Sequence, residues 1–346
     1  MREAPAASAL VPLARVVRGE LAECVHLGAV AVADPRGTLQ ASAGAPELVT
    51  YLRSAAKPFQ ALVVVESGAA DAFGFGPREL AVIAGSHSGE PAHVAVVRDV
   101  LGRIGLGEDA LQCGARAPLA GAAARALAAA GQPPLAIHNS CSGKHAGMLA
   151  VCVHRGWPID RYLDAAHPLQ HLNRAAIANL AGLQPDAVGV GVDGCGVPTF
   201  AVSLRAMARL YARPASPSGL RTPRAAALER VRDAMRAHPF LVGGTRRLDT
   251  ELPLAAGEAL VVKGGADGVR CAGLVGGELG VALKVIDGAA RAVDPSFLAA
   301  LQQLGWIDDR VLEALAYHAR TPIRNSRDEV VGEIQGVVKL HGLGRR

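Results

Sequence analysis

The stretch Arg53-Ser-Ala-Ala-Lys-Pro-Phe-Gln60, followed by Ala61-Leu-Val-Val-Val-Glu66, decides how this chain is read. Ser54-x-x-Lys57 places a hydroxyl and an amine about one helical turn apart, so the amine can take the hydroxyl's proton and make a nucleophile without histidine. Such a lysine must be neutral near pH 7. Burial or a neighbouring positive charge has to lower its pKa from ~10.4. Pro58 disfavours helical geometry at Lys57 and suits a first helical turn. The stretch therefore predicts a turn opening a buried helix over 58–66, with serine and lysine at its start. Taken alone, the pair reads more readily as a solvated helix face, and the rest of the chain has to decide.

Before this helix, residues 25–33 and 38–43 flank Asp34-Pro-Arg-Gly37, which has the turn chemistry of a β-hairpin. After it, helices are expected over 77–84 and 91–104, with Gly85-Ser-His-Ser-Gly89 as the loop between them. The Ala-rich run 119–130 predicts another helix, closed by Gly131. A polar loop, His138-Asn-Ser-Cys-Ser-Gly-Lys-His145, leads into a helix near 146–155, and 168–182 forms the next. A short strand over 188–192 ends in Asp193-Gly-Cys-Gly-Val-Pro198. Helices over 203–213 and 222–237 are joined by a Pro/Ser/Gly linker. Residues 259–286 read as two or three strands, the first ending at Lys263-Gly-Gly265. Helices near 295–304 and 308–318 precede a last strand at 332–340. Strands at both chain ends with helices between them predict an α+β fold. Its antiparallel sheet, built from about 10–50 and 255–345, is flanked by helices, and about 54–240 forms a helical lobe, all in a single domain 1–346. No G-x-G-x-x-G or Walker sequence points to a nucleotide fold.

At 346 residues the chain can bury a large core; half of it is apolar and 19% charged, below the usual fraction of about 25%. Net charge is a mild +5, and only 3% of residues are aromatic. Arginines cluster between Arg205 and Arg236 with few interleaved rings, so they read as a solvated helix face and not as a nucleic-acid surface. The cysteines at 24, 113, 141, 152, 195 and 271 form no C-x-x-C pair and read as reduced thiols. Glu3, Arg15, Arg18, Glu20 and Glu23 interrupt any leader pattern, and no apolar stretch approaches the ~18 residues of a membrane span. A cytoplasmic protein with neither membrane nor nucleic-acid partners is expected.

Ser54-x-x-Lys57, then the loop serine Ser86, then the strand-borne Lys263-Gly264-Gly265 echo the order found in penicillin-recognising serine hydrolases and serine-dependent glutaminases. There a lysine activates the serine that attacks a carbonyl, and backbone groups beside the strand lysine manage the developing charge. Ser86-His-Ser88 stands where β-lactamases carry Ser-x-Asn. Arg-Ser-x-x-Lys-Pro at 53–58, Ser-His-Ser-Gly-Glu at 86–90, His-Asn-x-Cys-Ser-Gly-Lys-His at 138–145 and Asp-Gly-Cys-Gly-x-Pro at 193–198 together resemble the Rhizobium etli-type asparaginases, the class 3 or asparaginase II family. The resemblance runs over nearly the whole chain. It implies a serine β-lactamase/glutaminase-like fold, a homodimer and hydrolysis of L-asparagine to L-aspartate and ammonia. It implies two Ser-Lys tandems, Ser54 with Lys57 and Ser86 with Lys263, and one zinc per chain held by Cys141, Lys144 and Cys195. The zinc is expected to govern substrate affinity more than turnover.

Residue chemistry alone leaves more open. Cys141 and Cys195 are far apart in sequence and make no recognised zinc spacing, and a lysine ligand must first lose its proton, so ordinary buried cysteines are the alternative. His145 either orients a ligand or metal-bound water from outside the coordination sphere or makes a structural hydrogen bond. Asp193 can pair with the substrate ammonium. Arg53 can take the carboxylate in a forked contact or lower the pKa of Lys57 by its charge; structural ion pairs are the alternative for both. His87 and the backbone of Gly264 and Gly265 complete the expected substrate contacts. Threonine-based asparaginase chemistry does not fit, since Gly-Gly-Thr occurs only at 243–245. A glutaminase or penicillin-binding-type serine amidohydrolase of the same fold is the alternative activity.

Overall fold

A computed structural model describes residues 7–342; Glu3 and the sheet boundary expected at 345 lie outside them. The chain divides into two units. The first takes the chain up to Ala55, Val202–Ser216 and everything from Leu254; the second takes Ala56–Ala201 and Pro217–Pro253.

The first unit is built on an eight-stranded sheet. Its strands follow the order Arg320–Arg324, Val330–Gly336, Val11–Arg18, Leu21–Ala33, Gly280–Val285, Val269–Leu274 and Leu260–Gly264, with Leu39–Ala43 also pairing to Leu21–Ala33. Every pairing with a register is antiparallel. Both chain ends therefore meet in one sheet, as the sequence predicts. The hairpin turn forms at Asp34: its carboxylate accepts from the N–H groups of Arg36 and Thr38 at 2.8 and 2.9 Å, and the strands on either side then diverge into the ladder. Residues 29–33 are fully buried, which explains why this strand reads as a continuous apolar run and not as an alternation.

Two differences from expectation matter here. The helix Leu204–Ala215 was expected in the helical lobe but packs on strands Leu21–Ala33, Val269–Leu274 and Gly280–Val285. Leu204, Met207, Ala208, Leu210 and Tyr211 supply the buried stripe, at the i, i+3, i+4 spacing that turns one helix face to a core. Strand Arg320–Arg324, missed in the sequence, lies at the sheet edge, where Pro322 removes no ladder bond that a central strand would need.

The second unit is helical. Pro77–Ala84, Pro91–Arg103 and Pro168–Ala181 all begin with proline at the first helical position, where its missing N–H costs nothing. Lys57–Glu66 packs against Pro77–Ala84, Ser142–Arg155, Pro168–Ala181 and Thr222–Ala237, with eight of its ten residues buried. The hairpin Gly189–Val192/Pro198–Ser203 adds the second strand that the sequence did not suggest. Most arginines of the cluster are half-buried and not fully solvated, and acids take up part of their charge: within the first unit Arg205 pairs with Glu47, and within the second Arg224 pairs with Glu66 and Arg230 with Asp71.

Candidate active site

Lys57 opens its helix with its side chain 1% exposed. The amine contacts Ser86 Oγ at 2.9 Å and donates to the Ser140 carbonyl at 3.0 Å. Burial pulls the lysine pKa down; a Cys141 thiolate opposes that, and the charge of Lys144 adds to it, leaving Lys57 below the usual lysine value. In this arrangement a neutral amine could accept the proton of the serine hydroxyl. The resemblance pairs Ser86 with Lys263; within the second unit the lysine that meets Ser86 is Lys57. Ser54 sits in the 3-10 turn Arg53–Ala56 that runs directly into this helix.

The loop supplying the Ser140 carbonyl is held by Asn139. Its side-chain oxygen accepts from the Cys141 N–H at 2.9 Å, and its amide donates to the carbonyls of Cys113 and Gly114. The following helix starts at Ser142, four residues earlier than the sequence suggests, so Lys144 and His145 stand in its first turn. Gly143 allows this: a Cβ there would lie 2.3 Å from the Val82 carbonyl oxygen, so only glycine lets this helix approach Pro77–Ala84, the helix leading to Ser86.

Cys141 caps that helix, and Cys195 comes from the turn Asp193-Gly-Cys-Gly-Val197 between two paired strands. Lys144 donates to Cys195 Sγ at 3.0 Å. A hydrogen bond from Cys195, with the charges of Lys57 and Lys144, holds Cys141 well below the usual thiol pKa despite burial, and the helix N-terminus favours the same thiolate. Sharing that hydrogen bond raises Cys195, and burial adds to it. Lys144 would be lowered by burial, but the two sulfurs and Asp193 hold it above its ordinary value. Among the described residues no group of three or more His, Cys, Asp or Glu side chains could hold a metal. A metal here would need Lys144 as its third donor and would displace its proton. The two thiols and the amine converge and include one ready thiolate, so the donor set fits a thiophilic divalent ion. His145 lies beside them. Its Nδ1 is 2.7 Å from Tyr162 Oη, while its fully buried Nε2 has no hydrogen-bond partner among the described residues. Tyr162, for which the sequence holds no signal, also accepts from the Gln112 N–H at 2.9 Å.

His87, expected at the substrate, is 0% exposed, and both ring nitrogens are engaged by Gly89 and Ser142. These bonds tie the ring to the backbone of its own loop and to the helix that starts at Ser142. Asp193, half-buried, accepts from the Gly194 N–H at 2.7 Å, which fixes its carboxylate in the turn.

The first unit gathers the other expected residues. Lys263 is 1% exposed and donates to the Gly264 carbonyl at 2.7 Å. A Cβ at Gly265 would come within 2.6 Å of the Leu52 carbonyl oxygen, so the segment entering Arg53 and Ser54 presses on the end of this strand. Arg53 pairs with Asp267, as the ion-pair alternative has it, and takes a left-handed backbone with φ 51°, uncommon for a residue with a side chain.

A family model described as L-asparaginase II matches residues 14–336. No curated protein matches the chain. Among solved structures, Mglu in its native form in 4.3 M NaCl is 17% identical, covering 82% of this chain and 62% of its own, with a TM-score of 0.44. Mglu in its glutamate form is 15% identical, covering 86% and 62%, with a TM-score of 0.45. A β-lactamase from Mycobacterium bovis is 14% identical, covering 80% of this chain and 94% of its own, with a TM-score of 0.38. The chain thus spans 62% of the length of those two Mglu chains. No helix of the described residues is long and apolar enough to cross a membrane. With its motifs in place and the family match running from residue 14 to residue 336, the chain belongs to the L-asparaginase II family.

Proposed function

We propose that the chain is a Rhizobium etli-type asparaginase that hydrolyses L-asparagine to L-aspartate and ammonia through a lysine-activated serine. The 2.9 Å contact between the buried Lys57 amine and Ser86 Oγ carries the reading. Neutral Lys57 takes the Ser86 proton as Oγ attacks the carboxamide carbon; the same proton passes to the departing nitrogen, which leaves as ammonia. Water then repeats the cycle on the acyl ester and releases aspartate. By the resemblance Ser54 and Lys263 are further catalytic candidates, and Ser54, three residues before Lys57, is the alternative nucleophile. Asp193 takes the substrate ammonium.

Zinc, one per chain, is part of this reading. Cys141, Lys144 and Cys195 would hold it with His145 alongside, and when bound it supplies a fixed positive charge that orients the substrate. The same resemblance implies a homodimer, and the unpaired cysteines fit a cytoplasmic protein. Ammonia release from L-asparagine by the purified protein, lost in Lys57→Met, tests the proposal. Turnover of L-glutamine or a chromogenic lactam with none of L-asparagine would select the alternative amidohydrolase.

A further inference from the structure

We infer that His87 is a positioning residue that ties the Ser86 loop to the loop carrying Ser140 and Cys141, through a hydrogen bond to Ser142, and makes no contact with substrate. The inference rests on the proposed Lys57–Ser86 chemistry and deepens it.

Backbone groups at both ends fix the direction of every bond in this link. The Gly89 N–H can only donate, so His87 Nδ1, 3.2 Å away, accepts. A neutral imidazole then carries its proton on Nε2 and donates it to Ser142 Oγ at 2.9 Å. The Ser142 hydroxyl passes its own proton to the Ile137 carbonyl at 2.8 Å, a group that can only accept. The ring's face is closed as well. It stacks on His93 at 5.2 Å and 15°, and His93 stacks on Phe240 at 4.8 Å and 21°. His93 is locked in the same way, accepting from the Glu90 N–H at 3.2 Å and donating to the Phe240 carbonyl at 2.8 Å. Neither ring nitrogen of His87 remains for a ligand.

Lys57 spans the two loops, with Ser86 Oγ on one and the Ser140 carbonyl on the other. His87 is the residue after Ser86, and Ser142 lies two beyond Ser140. The His87–Ser142 bond is therefore a cross-brace beside the lysine, and it sets the separation of the two groups between which the amine sits.

Three substitutions separate the parts of His87. His87→Gln keeps a donor where Nε2 was and preserves the bond to Ser142. His87→Asn keeps an acceptor for the Gly89 N–H but does not reach Ser142. His87→Phe keeps the stack and neither bond. If the brace positions the pair, Gln retains kcat within about threefold of wild type, while Asn and Phe lose about 10- to 100-fold with KM within about threefold, the loss expected of a small misplacement. In a Ser142→Ala background the advantage of Gln over Phe disappears. Asn matching or exceeding Gln, or KM rising tenfold at steady kcat, overturns the inference; the second result would make His87 a substrate contact. Should the wild type not hydrolyse L-asparagine, the functional reading fails by itself. The brace is then judged by melting of His87→Phe, Ser142→Ala and the double variant, where non-additive losses support it and additive losses overturn it.

Discussion

Gly143→Ala sets two opposing effects against each other. In an open helix the change is favourable, because alanine is the better helix former by about 0.8–1.0 kcal/mol. At 143 the added methyl would lie 2.3 Å from the Val82 carbonyl oxygen, 2.9 Å from the carbonyl carbon and 3.3 Å from Cγ2. The two closest atoms belong to the backbone of a helix and cannot swing aside, so the gap has to open to at least 3.0 Å. Overpacking of this kind costs ~1–3 kcal/mol, which leaves a net loss of up to about 2 kcal/mol after the helix gain. Gly102→Ala is the control. That position lies in the helix Pro91–Arg103 with nothing within 4 Å of a built Cβ, so only the gain of about 0.5–1 kcal/mol applies. Chemical denaturation should move the two midpoints in opposite directions. One of the helices pushed apart leads to Ser86 and the other starts beside Lys144. Turnover should therefore drop about 10- to 100-fold in Gly143→Ala and stay at the wild-type level in Gly102→Ala. A Gly143→Ala protein that is as stable as wild type and fully active would refute the claim that this close approach places the loop.

Lys57→Met and Ser86→Ala should each abolish ammonia release with the fold intact by circular dichroism, and the double variant should be no worse than either, since the two act as a unit; losses that multiply would separate their roles. Turnover should rise from neutral into alkaline pH along the deprotonation of Lys57, with a midpoint below that of free lysine because burial outweighs the Cys141 thiolate; a rate maximum below pH 6 would sink the lysine base. Chelation, like Cys141→Ala or Cys195→Ala, should raise KM more than it lowers kcat, and elemental analysis without zinc in protein purified free of chelator would count against the metal. Burial pushes the Asp34 carboxyl up, but hydrogen bonds from Thr38 and Arg36 outweigh it and hold the pKa below the usual value. Its contribution is therefore present above about pH 4 and lost as pH falls through the folded-state pKa. Asp34→Asn should flatten the loss of melting temperature between neutral pH and pH 3, and an equally steep loss in the variant would assign it to other carboxylates.

Local chemistry was the most legible part of the sequence. The turn at Asp34, the proline-started helices and the three strands between 260 and 285 follow from neighbours in the chain. What long-range contact decides was hidden. Gly143 lies in a stretch that reads as a polar loop, and only Val82 against it shows that the helix starts four residues earlier. Pro322 and two arginines hide an edge strand that only its position in the sheet permits. At the site, the motifs single out side chains without showing which of them meet. Ser54-x-x-Lys57 suggests a neighbouring serine for Lys57, whereas the hydroxyl 2.9 Å from its amine arrives 29 positions later. His87 falls in a polar, glycine-containing loop and reads as a ligand contact. Only the positions of Gly89 and Ser142 reveal that its nitrogens are already engaged.

The strand order also governs how the protein can be made. Val30 pairs with Leu283, and Val16 with Ile334, so these strands leave a ribosome about 250 to 320 residues before their partners. The second unit closes at Pro253, and its segments are all available before any of the later sheet strands exist. Synthesis at about 5–20 residues per second leaves the N-terminal hairpin with unpaired edges for roughly ten seconds to about a minute while the helical unit folds. Nascent chains stalled before residue 280 should therefore show a protease-resistant helical unit and a labile N-terminus. The labile part, with exposed Leu21 and Val25 on its strand, is where chaperone binding and aggregation during expression would concentrate.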